Sequence, residues 1–140
     1  MNIAIVGATG NVGRKILEVL EKKELAVDNL YLLASSRSAG SKINFNGNEH
    51  EVIDLESFDF SKVKITFFAA GGKISENFAE IAAKHSLVID NSSFYRMDPD
   101  VPLIVPQVNS DHLNNIKKNI ISNPNCSTAQ LVIALKPLHD

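Results

Sequence analysis

Cys126 is the chain's only cysteine, and it stands in Asn123-Pro-Asn-Cys-Ser-Thr-Ala-Gln130. Before this stretch, Asn119 to Ser122 reads as a strand; after it, Leu131, Val132 and Leu135 mark an apolar helix. That spacing puts the sulfur at a helix N-terminus, where the dipole and unpaired N–H groups favour a thiolate, the nucleophilic form. Asn125 is polar enough to orient an acyl oxygen beside it, so the available chemistry is nucleophilic acyl transfer. A lone cysteine is more often a buried, inert small hydrophobe, and on the residue alone both readings stand. Arg96 is the second candidate. It closes Asp90-Asn-Ser-Ser-Phe-Tyr-Arg96, a loop after the strand that begins with Leu87 to Ile89, where it either grips an anion bidentately or is a surface arginine.

A third group of residues suits phosphate. Asn2-Ile-Ala-Ile-Val6 is an apolar run too short for a helix, and it empties into Gly7-Ala-Thr-Gly10-Asn-Val-Gly13. Val12, Ile16, Val19 and Leu20 then share one face of a 3.6-residue period. In a strand, turn and helix of this kind, glycines allow positive φ, close backbone approach and tight helix packing, while free N–H groups and the dipole attract phosphate. The spacing is GxxGxxG and not the commoner GxGxxG, so an ordinary glycine turn is the alternative to a dinucleotide site on Gly7, Thr9, Gly10, Asn11, Val12 and Gly13. About 20 residues further on, where an NAD site usually places an acid on the ribose, stands Ser35-Ser-Arg-Ser-Ala-Gly40. Arg37 with Ser35 and Ser38 suits a 2′-phosphate, which favours NADP over NAD; a solvated loop is the other reading.

These groups need strand ends to hold them. Asn29 to Ala34 and Lys64 to Ala69 are further strand-like runs, and the second opens into Ala70-Gly71-Gly72. Ser75 is a plausible N-cap for a helix carrying Phe78, Ile81 and Ala82 up to Lys84. Asn46-Gly47 signals a hairpin, and the stretch from there to Phe60 reads as a structural excursion without chemistry. Prolines 99, 102 and 106 surround a short Leu103 to Val105 strand, and Asn109 to Lys118 has helical spacing. The alternation predicts an α/β fold: a Rossmann-type, doubly wound, mostly parallel sheet with helices on both faces.

Composition limits the function classes. With 140 residues, 44% hydrophobic and 21% charged, the chain fits one globular domain with a real core. A net charge of −2 without a basic cluster argues against nucleic acid as a partner, and no apolar run approaches membrane-spanning length. A lone cysteine and a first strand that follows Met1 directly point to a cytoplasmic protein acting on small molecules. No metal site is assigned.

Taken together, GATGNVG at 7 to 13, SSRSAG at 35 to 40, AAGG at 69 to 72, DNSSFYRM at 90 to 97, VPQVN at 105 to 109 and NPNCST at 123 to 128 resemble the signatures of aspartate-semialdehyde dehydrogenases. The resemblance runs the length of the chain, and NPNCST is its most specific part. N-acetyl-glutamyl-phosphate reductases typically have glycine before the cysteine and an aromatic after it, and glyceraldehyde-phosphate dehydrogenases follow theirs with threonines. Asn125 and Ser127 fit neither.

The resemblance implies NADPH-dependent reductive dephosphorylation of aspartyl β-phosphate to aspartate semialdehyde, on the route to lysine, methionine and threonine. Cys126 would be the nucleophile and form a thioester, Gly7 to Gly13 would hold the pyrophosphate, and Ser35, Arg37 and Ser38 the 2′-phosphate. Gly71 and Gly72 would lie on the nicotinamide side, Arg96 would hold the substrate phosphate, and Asn125 the acyl group. Gln107 stands where the family usually has glutamate. The family also has a second domain with a histidine acid/base and a last helix that packs back on the first domain, and it is typically homodimeric. His50, His85, His112 and His139 match no catalytic position, so residues 1–140 are expected to be the dinucleotide-binding domain with its cysteine, inactive alone, the second domain lying outside this chain. The alternatives are another acyl-phosphate reductase, or a non-catalytic nucleotide-binding module in which Cys126 is merely packed.

Overall fold

The computed structural model describes residues 1–139. Seven strands form one sheet: β1 Asn2–Val6, β2 Asn29–Ala34, β3 Lys42–Phe45, β4 Asn48–Asp54, β5 Ile65–Phe68, β6 Leu87–Asp90 and β7 Ile120–Ser122. Their order is β3-β4-β2-β1-β5-β6-β7, parallel except for the antiparallel β3–β4 hairpin. That hairpin turns at Asn46 and Gly47, with φ of 51° and 78°, the pair of positive values a type I′ turn demands. The helices are α1 Asn11–Lys22, α2 Gly72–Ala83, α3 Pro106–Asn109 and α4 Cys126–His139.

Alternation along β1 sends side chains to two cores. Ala4 and Val6 pack with Leu33, Phe68, Val88 and Ile120 under Ala79 and Ala82 of α2. Ile3 and Ile5 pack with Leu30, Leu32 and Val52 under Leu17 and Leu20 of α1. Helices therefore cover both faces, as the sequence predicts for a doubly wound sheet. The chain departs in opposite directions from β1 and β5, so a crevice lies beyond the carboxyl ends of these neighbours.

Coverage of the two faces is unequal. Thr66, Phe68, Val88 and Asp90 are buried beneath α2, whereas Ile65, Phe67, Leu87 and Ile89 on the opposite face of β5 and β6 are only half-buried. Ile65 pairs with Leu87 and Phe67 with Ile89, so these four make one apolar strip. Among the described residues, no helix is long and apolar enough to cross a membrane.

Three local expectations are corrected. Helix α2 starts at Gly72 with Gly71, φ 88°, at its N-cap, so Ser75 lies inside the first turn, buried and hydrogen-bonded to Asp90. Leu103 to Val105 forms no strand, because only Leu103 bridges to Ser122. The spacing at Asn109 to Lys118 yields α3 followed by a 3-10 turn over Ser110–Asn115, since Pro106 starts a helix well but nothing buried holds a longer one.

Candidate active site

The glycine turn is built by close approach. Gly7 has φ 85°, and a Cβ there would stand 2.8 Å from the carbonyl carbon of Ala69. At Gly13 a Cβ would stand 2.2 Å from the Gly7 oxygen, so this glycine lets α1 sit on the turn. Gly10 takes the N-cap without any side-chain cap, which leaves the first-turn N–H groups of Asn11, Val12 and Gly13 available. Beside them opens a cavity of about 360 Å³, lined by Gly7, Thr9 and Gly10 from the turn, Ser35 and Ser36 after β2, Asp54 and Leu55 after β4, and Ala69 and Ala70 after β5. Free N–H groups, a dipole and a slot with apolar walls suit a nucleotide diphosphate and its base.

Arg37 and Ser38 do not line this cavity, but they continue the turn that Ser35 and Ser36 begin, where the Ser38 N–H donates to the Ser35 carbonyl at 2.8 Å. Arg37 is exposed, and no hydrogen bond or ion pair with the described residues ties its guanidinium down. Asp54 and Leu55 also line the cavity, and no motif in the sequence marks them. Parallel pairing of Ala34 with Asp54 brings them to the Ser35 end of the cavity, and the rule that ligands sit beyond the carboxyl ends of strands is the signal that points there.

At the other end, Cys126 is the first residue of α4 and is exposed. The Asn125 side-chain oxygen accepts from the Ser127 N–H and the Ser127 hydroxyl, each at 2.9 Å, so Asn125 caps the helix. The Cys126 Sγ donates to the same oxygen at 3.8 Å, and the carboxamide N–H₂ is left without a partner among the described residues. Cys126 and Asn91 line two depressions. One, about 460 Å³, runs along Asn11, Val12 and Lys15 of α1; the other, about 240 Å³, reaches Gln107, Asn123 and Pro124.

Arg96 is no free surface arginine. Its Nε donates to the Asn123 carbonyl at 2.9 Å and Nη2 to the Asn91 carbonyl at 3.2 Å, one residue past β7 and β6 respectively. The guanidinium is thereby held between the strand ends that flank the cysteine turn, and its remaining donors are uncommitted. Gly72 approaches the same loop: a Cβ there would lie 3.8 Å from the Ser93 hydroxyl. Gly72 thus adjoins the Arg96 loop, a Cβ on Gly71 would meet nothing within 4 Å, and neither glycine lines the nucleotide cavity, although Ala70 and Ile74 on either side do. The fold gathers the predicted residues into two groups along the crevice, glycines with Ser35 at one end and Cys126, Asn125 and Arg96 at the other, bridged by Asn11 and Val12.

Comparison with known proteins identifies the family. The semialdehyde dehydrogenase NAD-binding domain matches residues 2–116. The aspartate-semialdehyde dehydrogenase of Shewanella violacea is 48% identical over 99% of this chain, which spans 42% of that relative's length. Among solved structures, aspartate semialdehyde dehydrogenase II of Vibrio cholerae, complexed with ASA, is 51% identical with a TM-score of 0.96, over 99% of this chain and 46% of that one. The Candida albicans enzyme with NADP is 29% identical with a TM-score of 0.79, again over 99% and 46%.

Proposed function

The chain belongs to the semialdehyde dehydrogenase family, and from that premise we propose that it carries the NADP site and the nucleophile of an aspartate-semialdehyde dehydrogenase. The observation that carries the reading is the place of Cys126: exposed, first in α4, beside the capping Asn125, in a depression that also holds Asn11 and Val12 of the glycine-turn helix. In the reductive direction the Cys126 sulfur attacks the carbonyl carbon of aspartyl β-phosphate, the C–O bond to phosphate breaks, and a thioester on Cys126 remains. The free donors of Arg96 receive the departing phosphate, and the Asn125 N–H₂ steadies the acyl oxygen as it gains charge. Gly7 to Gly13 hold the pyrophosphate on free N–H groups, while Ser35, Arg37 and Ser38 face the 2′-phosphate. NADPH, when bound, would supply a hydride to the thioester carbon, whose C–S bond then breaks to release the aldehyde and return Cys126 as its thiolate. The acid/base and the rest of the substrate grip belong to the greater length that the relatives have, and we infer that part of it covers the apolar strip on β5 and β6 and that the whole is a homodimer.

A calorimetric and kinetic pair tests the reading. The 140 residues alone are expected to bind NADP but not to reduce it with aspartate semialdehyde and phosphate, since a missing acid/base alone costs roughly a hundredfold to ten-thousandfold. In a protein of the relatives' length that turnover should be present, and Cys126→Ser should abolish it while leaving folding and NADP affinity unchanged. Substantial activity in the serine variant would rule out the thioester.

A further inference from the structure

We propose that Asp90 is a positioning residue for Arg96, a buried carboxylate that sets the loop from which the guanidinium reaches the anion; the proposal rests on the reading of Arg96 as a phosphate ligand. Asp90 is fully buried at the carboxyl end of β6. Its Oδ1 accepts from the Ser75 hydroxyl at 2.7 Å and from the Ser92 N–H at 3.0 Å, and its Oδ2 accepts from the Ser92 hydroxyl at 2.7 Å. The Ser92 oxygen in turn accepts from the Phe94 N–H at 3.1 Å. Residues 92 to 94 are thereby turned by a relay that starts at the carboxylate, and the chain is led back until Arg96 meets the carbonyls of Asn91 and Asn123. The Asp90 main chain shares the task, since its carbonyl accepts from the Asn123 N–H at 2.8 Å.

A buried carboxylate is costly to desolvate, and a well-packed apolar residue would hold a strand end at least as well. What an apolar residue cannot do is accept from both the N–H and the hydroxyl of Ser92 and so fix the geometry of the loop, the Ser75 hydroxyl serving as a third donor to the buried carboxylate. Phosphate binding by a guanidinium depends on that geometry, because misplacing a contact group by about 1 Å can cost on the order of a hundredfold.

Asp90→Asn keeps the volume but removes the charge that strengthens all three bonds and forces the Ser92 hydroxyl to turn from donor to acceptor, which loosens the relay. The arginines of the chain are Arg14, Arg37 and Arg96, so their Nε–H signals can be followed one by one by NMR. In the native chain the Arg96 signal should be set apart and slow to exchange; in Asp90→Asn it should collapse onto the free Arg37 signal, with Arg14, bonded to the Thr9 carbonyl, unmoved. Inorganic phosphate should slow iodoacetamide alkylation of Cys126, and the half-protecting concentration should rise on the order of tenfold in Asp90→Asn, with NADP affinity unchanged. In an Arg96→Lys background the same change should add nothing, because both act through one contact. Ser75→Ala, which frees only the helix, should leave the Arg96 signal in place.

A folded Asp90→Asn protein with the Arg96 signal and phosphate protection both intact overturns the proposal, as does an equal shift in the Arg96→Lys background. If Asp90→Asn does not fold, Ser92→Ala decides by the same two readouts. Absence of any phosphate protection in the native chain counts against the phosphate site itself, and the Arg96 signal then decides positioning alone.

Discussion

Two strand-to-helix turns face the crevice, and they are built in opposite ways. After β1, the glycine turn packs backbone on backbone, and α1 buries Gly13, Leu17 and Leu20. After β7, the cysteine turn is closed by side chains, Asn125 and Ser127, and α4 buries no side chain among its described residues. Leu131, Ile133, Leu135 and Leu138 of α4 are exposed, as are Val12 and Val19 on the outer flank of α1. The difference separates two tasks. The phosphate-suited glycine turn relies on groups this sheet and α1 hold by themselves, whereas Cys126 sits on a helix that packs on α3 yet buries none of its described side chains.

The largest expected contrast is in stability. Gly13→Ala pushes a Cβ to within 2.2 Å of the Gly7 oxygen, which no side chain can yield to, so a loss of about 3 kcal/mol or more is expected by denaturant unfolding. Leu131→Ser, at 57% exposure, should change this chain by less than about 0.5 kcal/mol. In a protein of the relatives' length the serine should cost about 1–2 kcal/mol more, because the face would then be buried. Equal costs for the two changes in this chain would erase the contrast.

Next in size is cofactor choice. Arg37→Glu replaces an unengaged cation with an acid beside Ser35, and should weaken NADP on the order of tenfold to a hundredfold while sparing NAD. Titration of both cofactors against both proteins measures the ratio, and an unchanged ratio would show that Arg37 does not read the 2′-phosphate.

The smallest effect lies under the Arg96 loop. Tyr95 is buried and its hydroxyl finds no partner among the described residues. Tyr95→Phe should therefore leave stability at neutral pH unchanged or raise it by up to about 1 kcal/mol. Burial, reinforced by the carboxylates of Glu80, Asp90, Asp98 and Glu76, pushes the phenol up to about 12. Its pKa is thus higher in the folded state than in the unfolded chain, so the associated stability is complete below about pH 10 and drains away as pH rises toward 12. Unfolding scans from pH 9 to 11.5 should show that slope in the native chain and a shallower one in Tyr95→Phe.

Residue order alone settled what local physics controls. Asn2–Val6 and Asn29–Ala34 are readable as strands because they are apolar runs too short for a stable helix, and Asn46-Gly47 announces its hairpin through positive φ. The glycine spacing and the residues around Cys126 and Arg96 likewise identified the family, since each motif sits in a contiguous stretch. Other features depend on residues far apart in the chain. Strand pairing alone brings Asp54 beside Ser35, and the carbonyls that hold Arg96 come from the ends of two strands, β6 and β7. The Leu103 to Val105 strand failed for the same reason, because a strand exists only where a neighbour supplies its hydrogen bonds, and there the sheet supplies one bridge. Composition likewise determined that a core would form. Only the packed sheet decided that one face is sealed by α2 while the other leaves an apolar strip open on β5 and β6, because coverage depends on where helices land and not on which residues are apolar.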